Sequence, residues 1–272
     1  MSQELSYSRI TRPEETPEKW LYVLHGIYGT GKNWGSVARR LVDAVEGWGA
    51  VLVDLRLHGG SLDFAPPHTV AACAEDLRRL EQACDLPPTA ILGHSFGGKV
   101  ALLRAGSDAS GLRQVWIADS TLEAREPDGS AWRILEIVRN LPEDFGSRGE
   151  LVDALVPEGY APGVGQWLAM NLERDGDRLR WKLDWVGIEA LLRDFFETDV
   201  WPVIENPPGQ MEIHVIRALQ STSIRADTAA RVTAAGERTG RVHLHEIDAG
   251  HWLNVESPDA VLELLTANLA GL

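Results

Sequence analysis

Short, nearly continuous apolar runs alternate along the chain with longer amphipathic stretches. The first block opens with residues 20–24 (WLYVL), followed by a helical pattern at about 34–45 and a second apolar run at 50–55 (AVLVDL). A helix over about 70–83, a strand at 89–92, a helix over about 98–105 and a strand at 114–118 complete it. A second block repeats the rhythm: strand 211–216, helix 226–235, strand 242–247 and a last helix over about 259–269. Continuous apolar strands joined through helices predict a parallel sheet covered on both faces, hence an α/β fold. Residues 5–11 suggest an added antiparallel edge strand.

Between the blocks, residues 120–208 offer no convincing strand. They read as short helices broken by prolines, and they hold Trp132, Trp167, Trp181, Trp185 and Trp201. The expected organisation is a core formed by 1–119 and 209–272, with 120–208 inserted as a helical lid whose tryptophans help to line an apolar acyl pocket. A separate structural lobe, with those rings packed in its own small core, is the alternative.

Composition narrows the picture. Lys and Arg total 26 against 40 for Asp and Glu, a net charge of -14, and such a field repels polyanions, so no nucleic-acid partner is expected. The polar opening MSQELSYSRITRPEE lacks a signal-peptide layout, and no run of about 18 apolar residues occurs, so neither export nor a membrane span is indicated and a cytoplasmic location is the default. Cys73 and Cys84 fall eleven residues apart in one predicted helix. At a rise of about 1.5 Å per residue they are too distant to pair.

The chemistry concentrates at residues 89–98, TAILGHSFGG. A buried strand runs into Gly93-His94-Ser95-Phe96-Gly97 and then a helix, the G-x-S-x-G pattern of a nucleophile elbow. Ser95 is therefore the candidate nucleophile. A serine hydroxyl needs a base, itself oriented by a third group. Of the eight histidines, His251 in Ala249-Gly250-His251-Trp252 follows the last strand, where open α/β sheets deliver site residues. His94 is expected to face away from the serine, and His25 to brace its loop. His243 and His245 alternate on a strand, but nothing follows at the spacing of helical zinc motifs, so no metal and no cofactor are expected. For the acid, Asp119 in IADS ends one strand, whereas the loop at 217–223 offers no carboxylate before Asp227. A lid-side cap is the other reading of Asp119. The oxyanion of a tetrahedral intermediate would be met by the backbone N–H groups of Phe96 and Ile27. Tyr28 and Trp252, beside these loops, are the candidate substrate contacts.

LHGIYGTGKNW, VLVDLRLHGGS, ILGHSFGGKVAL and AGHWLNVESP together resemble the α/β-hydrolase superfamily, and in particular its small bacterial acyl esterase/thioesterase branch, which is related to a mitochondrial α/β-hydrolase-domain protein. The resemblance spans 20–119 and 211–269. It implies an α/β-hydrolase fold and a Ser95–His251–Asp119 triad, in a variant that carries a serine, here Ser221, where many relatives place the acid. It also implies an acyl-enzyme route for small to medium acyl esters or thioesters. A lyase using the same triad on an anionic carbon acid is the competing function, with Arg125, Arg174, Arg178 or Arg180 as the cationic contact. A binding protein that kept the fold without turnover is a third.

Overall fold

A computed structural model describes residues 4–272; the first three residues of the polar opening lie outside it. The first half of the chain runs β1 (Tyr7–Ile10), β2 (Lys19–Leu24), α1 (Gly35–Ala44), β3 (Trp48–Val53), α2 (Val70–Cys84), β4 (Ala90–His94), α3 (Phe96–Ser107) and β5 (Gln114–Ala118). The chain then leaves the sheet through α4 (Gly129–Val138), β6 (Asp144–Phe145), α5 (Arg148–Leu155), α6 (Pro162–Leu168), β7 (Leu172–Asp175), β8 (Arg178–Trp181), α7 (Trp185–Glu197) and α8 (Trp201–Glu205). It returns with β9 (Glu212–Ala218), α9 (Ala226–Thr239), β10 (Val242–Ile247), α10 (Leu253–Glu256) and α11 (Pro258–Leu269).

Seven strands form one sheet in the order β1-β3-β2-β4-β5-β9-β10. Only β1 is antiparallel, pairing with β3 as the expected edge strand. Both faces are covered, which is why the central strands are apolar at successive positions. Tyr22, Leu24, Val51, Val53, Ile91 and Val115 pack on one face. Their neighbours Leu21, Val23, Ala50, Leu52, Ala90 and Leu92 pack on the other, against residues of α1 and α11. Strand order reverses between β2 and β4, because the chain moves out to β3 and then crosses back. In open sheets such a switch point opens a crevice at the strand C-termini. Here it sets the loop after β2 beside the turn after β4, with Leu24 and Gly93 paired in register.

The segment between β5 and β9 departs from its expected all-helical character. It contains a three-stranded antiparallel sheet in the order β6-β8-β7. These strands have two to four residues, and the exposed positions Glu173, Arg174, Arg178 and Arg180 carry charges, so they give no apolar run to detect. Helix α3 also begins at Phe96, directly after the serine, rather than at Gly98. Cys73 and Cys84 are unpaired within α2.

One buried cation ties this segment to the core. Lys99, fully buried on α3, donates from Nζ to the carbonyls of Glu123, Phe195 and Thr198 at 3.0, 2.7 and 2.6 Å. Two of these acceptors lie at the C-terminal end of α7, where the helix dipole favours a cation. Burial pushes the Lys99 ammonium down to about 7, but its three donors match three otherwise unsatisfied acceptors. Lys99→Met should leave those carbonyls without partners and destabilise the protein by about 2–4 kcal/mol. Urea denaturation followed by circular dichroism measures the loss, and an unchanged midpoint would refute the role.

Candidate active site

The turn after β4 holds Ser95 at φ 50° and ψ -115°, a region of backbone space that costs energy for a side-chain-bearing residue. Packing imposes it. A Cβ on Gly93 would lie 2.2 Å from the carbonyl oxygen of Gly97, and one on Gly97 would lie 2.7 Å from that of His25. The glycines thus let strand, turn and helix close on one another. Ser95 N–H also donates to Ala118 O on β5 at 2.9 Å. The serine therefore stands at the head of α3, with the free N–H groups of a helix start behind it.

The loop after β2 is braced by two buried histidines. Leu55 N–H donates to His25 Nε2 at 2.9 Å, and Tyr28 N–H donates to His58 Nε2 at 3.0 Å. The other nitrogen of each ring lies against a nearby carbonyl, of Gly26 and Arg56 respectively. Burial pushes His25 down to about 4 and His58 down to about 3, so both act as neutral rings that accept through Nε2. His25 thus does what its position suggested, whereas nothing in the sequence singled out His58. Tyr28 N–H is committed to His58 and Gly29 N–H to Gly26 O. The amides of Ile27 and Phe96 have no acceptor among the described residues.

Asp119 follows β5 and is fully buried, with φ 47°. Its N–H extends the ladder to Ile216 O on β9 at 2.8 Å, which turns the carboxylate toward the end of the sheet. Oδ2 lies 2.7 Å from His251 Nδ1, and Oδ1 accepts from Ala218 N–H at 3.2 Å. Burial works to raise this carboxyl, but the hydrogen bond and charge of His251, with the Ser221 hydroxyl and the Ala218 amide, hold it below its usual value. The two residues stand 132 positions apart and meet only because β5, β9 and β10 are adjacent.

Ser221 does not touch the imidazole. Its hydroxyl bonds to Ser223 Oγ at 3.2 Å, and Ser223 Oγ lies 3.3 Å from His251 Nδ1. His94, expected to face away from the serine, lies against the loop of His251. Its ring packs 4.9 Å from that of His251, and Nε2 donates to the His251 carbonyl at 2.9 Å. The nitrogen opposite a carbonyl must carry the proton, so His94 is held as one tautomer, and burial together with the neighbouring His251 pushes it down to about 3. His94 anchors the loop that carries His251.

Ser95 and His251 together line two recesses. One is a narrow cleft walled by Tyr28, Ala131, Trp167 and Trp252. Through Gly26, His94, Trp167 and Trp252 it adjoins a mainly apolar cavity of about 510 Å³ that also contains Trp34 and Met170. The other recess, about 240 Å³, is more polar and includes Arg125, Ser130, Ser221 and Ser223. Arg125 Nη2 pairs with Asp128 at 2.8 Å, while Nε and Nη1 are buried without partners among the described residues. Arg178 and Arg180 instead pair with Asp144 and Asp175 on the small sheet. Of the five tryptophans in the inserted segment, Trp167 lines the apolar cavity. Trp181 and Trp185 pack edge to face on each other, Trp132 lies under Arg193 and Trp201 under Arg231. Trp252 and Tyr28 line the cleft, with the Tyr28 hydroxyl donating to Ala131 O at 2.8 Å.

The model of the alpha/beta hydrolase family matches residues 21–264. The chain belongs to that family. It is 24% identical over 275 residues to the sn-1-specific diacylglycerol lipase ABHD11 of Mus musculus, covering 98% of this chain and 85% of that one. It is 27% identical over 256 residues to Esterase YbfF of Escherichia coli (strain K12), covering 90% and 91%. A solved structure titled marine microorganism esterase superposes with a TM-score of 0.83 at 24% identity, covering 98% of this chain and 99% of that one. A thioesterase domain from the curacin biosynthetic pathway superposes with a TM-score of 0.73 at 17% identity, covering 97% and 95%. The protein is thus an enzyme of the α/β-hydrolase class. No helix among the described residues is long and apolar enough to cross a membrane.

The neutral histidines make the site acid-labile. His25, His58 and His94 are protonated near pH 6.5 when unfolded but resist protonation down to about 4, 3 and 3 when folded. Their contribution is complete above about pH 6.5 and is lost as pH falls toward 4, because only the unfolded chain gains the protons. At pH 4.5 each should cost on the order of 2–3 kcal/mol. A melting temperature that stays level between pH 7 and 4.5 would contradict this.

Proposed function

We propose that this enzyme is a serine hydrolase that cleaves carboxylic esters or thioesters of small to medium acyl groups through an acyl-enzyme. The observation that carries the reading is the 2.7 Å contact between His251 Nδ1 and Asp119 at the cleft that His251 shares with Ser95. With Nδ1–H donated to the carboxylate, Nε2 is the free base of the ring. Ser95 Oγ attacks the acyl carbon as His251 takes its proton, and the oxyanion is met by the N–H groups of Ile27 and Phe96. His251 returns the proton to the leaving alcohol or thiol. Water, deprotonated in turn by His251, then releases the acid. Asp119 keeps the proton on Nδ1 and stabilises the imidazolium without itself being protonated.

The two recesses suggest how substrate lies. The apolar cavity has a volume typical of small-molecule sites, about 300–1,000 Å³, and suits the acyl chain. The polar recess beside Arg125 suits the leaving group. The names of the mouse lipase and the bacterial esterase support ester cleavage, and the thioesterase domain shares the fold. The inserted segment, 120–208, serves in this reading as the lid.

Ser95→Ala should abolish labelling by a fluorophosphonate and lower kcat on a short p-nitrophenyl ester by at least about 10³-fold. Retention of more than about a tenth of the rate would end the proposal. Asp119→Asn should lower kcat/KM by about 10²–10⁴-fold, whereas Ser221→Ala, which removes no charge, should cost far less. The reverse order would move the acid role to the serine loop. Trp167→Ala should weaken medium-chain esters more than acetate, by about 1–3 kcal/mol in relative kcat/KM; equal losses would separate this ring from acyl selection.

A further inference from the structure

At the opposite, N-terminal ends of β9 and β10, Glu212, His214 and His243 converge on one face of the sheet. His214 and His243 are paired in register on adjacent strands, and Glu212 stands two residues before His214. Offered ligand atoms of all three lie within 4.8 Å of one another. His214 Nε2 is 3.6 Å from Glu212 Oε2, and His243 Nε2 is 3.8 Å from Glu212 Oε1. Both Nε2 atoms are buried, and neither has a hydrogen-bond partner among the described residues. The His214 residue as a whole is only 2% exposed.

These nitrogens are unsatisfied in either tautomer. His214 Nδ1 and His245 Nε2 share a hydrogen bond of 3.0 Å. If His214 supplies the proton, its Nε2 lone pair faces a carboxylate oxygen, acceptor against acceptor. If His245 supplies it, the His214 Nε2–H meets that oxygen beyond hydrogen-bond length. A cation between the groups removes the conflict. A tetrahedral ion with bonds of about 2.1 Å spaces its ligand atoms about 3.4 Å apart. The two carboxylate–imidazole distances exceed that by a few tenths of an ångström, Glu212 and His243 are half-exposed, and the His243 ring, stacked on that of His214 at 4.7 Å and 29°, must turn for both Nε2 lone pairs to meet one ion.

The surrounding contacts hold the ligands in place. Gln114 Nε2 donates to Glu212 Oε2 at 3.1 Å, and Trp116 Nε1 fixes the Gln114 oxygen at 3.0 Å. Trp116 also stacks on the His214 ring at 3.9 Å with an interplanar angle of 11°. His245 provides the partner that a metal-bound imidazole needs on its other nitrogen. Such outer contacts set ring orientation and ligand basicity in metal sites.

We propose that Glu212, His214 and His243 form a binding site for a divalent transition-metal ion of the zinc type, with water completing the coordination, that clamps the edge strand β10 to β9. Two imidazoles and one carboxylate suit Zn²⁺ and not Mg²⁺, which prefers an all-oxygen octahedron. The site is separate from the Ser95 cleft and does not depend on the proposed hydrolysis. Helical spacing misses it because the ligands lie across two parallel strands.

Tag-free protein, stripped with chelator, should take up one Zn²⁺ per chain in equilibrium dialysis with elemental analysis and take up no Mg²⁺. Zn²⁺ should also raise its Tm. Glu212→Gln combined with His243→Ala removes the His243 ring from the stack but keeps the closer packing of Trp116 on His214. It should weaken Zn²⁺ uptake by at least about 10-fold and abolish the Tm rise, with an unchanged circular dichroism spectrum. Absence of stoichiometric Zn²⁺ in the wild type, or equal uptake by the double variant, would overturn the assignment. Should that variant misfold, Glu212→Gln alone decides on the same two readouts.

Discussion

The hydrogen bond between Asp119 and His251 is the contact on which the rest of the site is built, since it joins chain segments that only the finished sheet brings together. A buried carboxylate is costly to desolvate, and here two hydrogen-bond donors offset the cost: an imidazole N–H and a backbone N–H. Each depends on register. The Ala218 amide is in place because β5 pairs with β9 from Gln114 to Ala118, and the imidazole because β10 pairs with β9 up to Ile247. A one-residue slip in either ladder would turn the relevant side chain to the other face of the sheet. Correct strand order is therefore also a condition of the electrostatics.

The same ladder sets the serine. Ser95 N–H bonds to Ala118 O, one residue before Asp119, so the positions of Ser95 and Asp119 are measured from a single peptide at the end of β5. Around that point the inserted segment divides the space in two. Trp167 and Trp252 meet edge to face at 4.5 Å on the apolar side, and the Arg125 guanidinium stands on the polar side. Because β5 leads directly into the inserted segment, Lys99 acts on the site indirectly. By binding carbonyls at both Glu123 and the end of α7, it fixes where that segment starts and where its longest helix stops.

How much of this was legible in the sequence depends on the range of the interaction. The central strands show as apolar runs because they are buried on both faces. The elbow shows because its glycines sit at contacts shorter than a Cβ allows. His251 was a candidate from its place after the last strand, and Asp119 from the lack of a carboxylate in the loop after β9; the finished sheet brings these two side chains together. The ordering within that loop was not legible. Ser223 rather than Ser221 lies at His251, a difference set by the turn in which Ser223 N–H donates to Ser221 Oγ. Strands β6, β7 and β8 were missed because local apolar patterning is absent from them. Most of the inserted tryptophans pack on neighbours or under arginines, and composition carries no information about which ring faces a cavity.

Histidine illustrates the limit most clearly, because its role is decided by what lies against its second nitrogen. His25 and His58 each have a backbone carbonyl on Nδ1, which leaves Nε2 as a neutral acceptor for an amide. His94 has a carbonyl on Nε2, which makes it a donor holding a loop. His251 has a carboxylate on Nδ1, which leaves Nε2 without the proton of the neutral ring. His214 has another imidazole on Nδ1, and so its Nε2 remains buried without a partner. The side chain is the same in every case, and the fold selects brace, anchor or the proposed base and ligand by the partner it supplies. That partner comes from a distant part of the chain for His94, His214 and His251. It comes from within two residues for His25 and His58, which is why only local bracing could be inferred from sequence position, and only for His25.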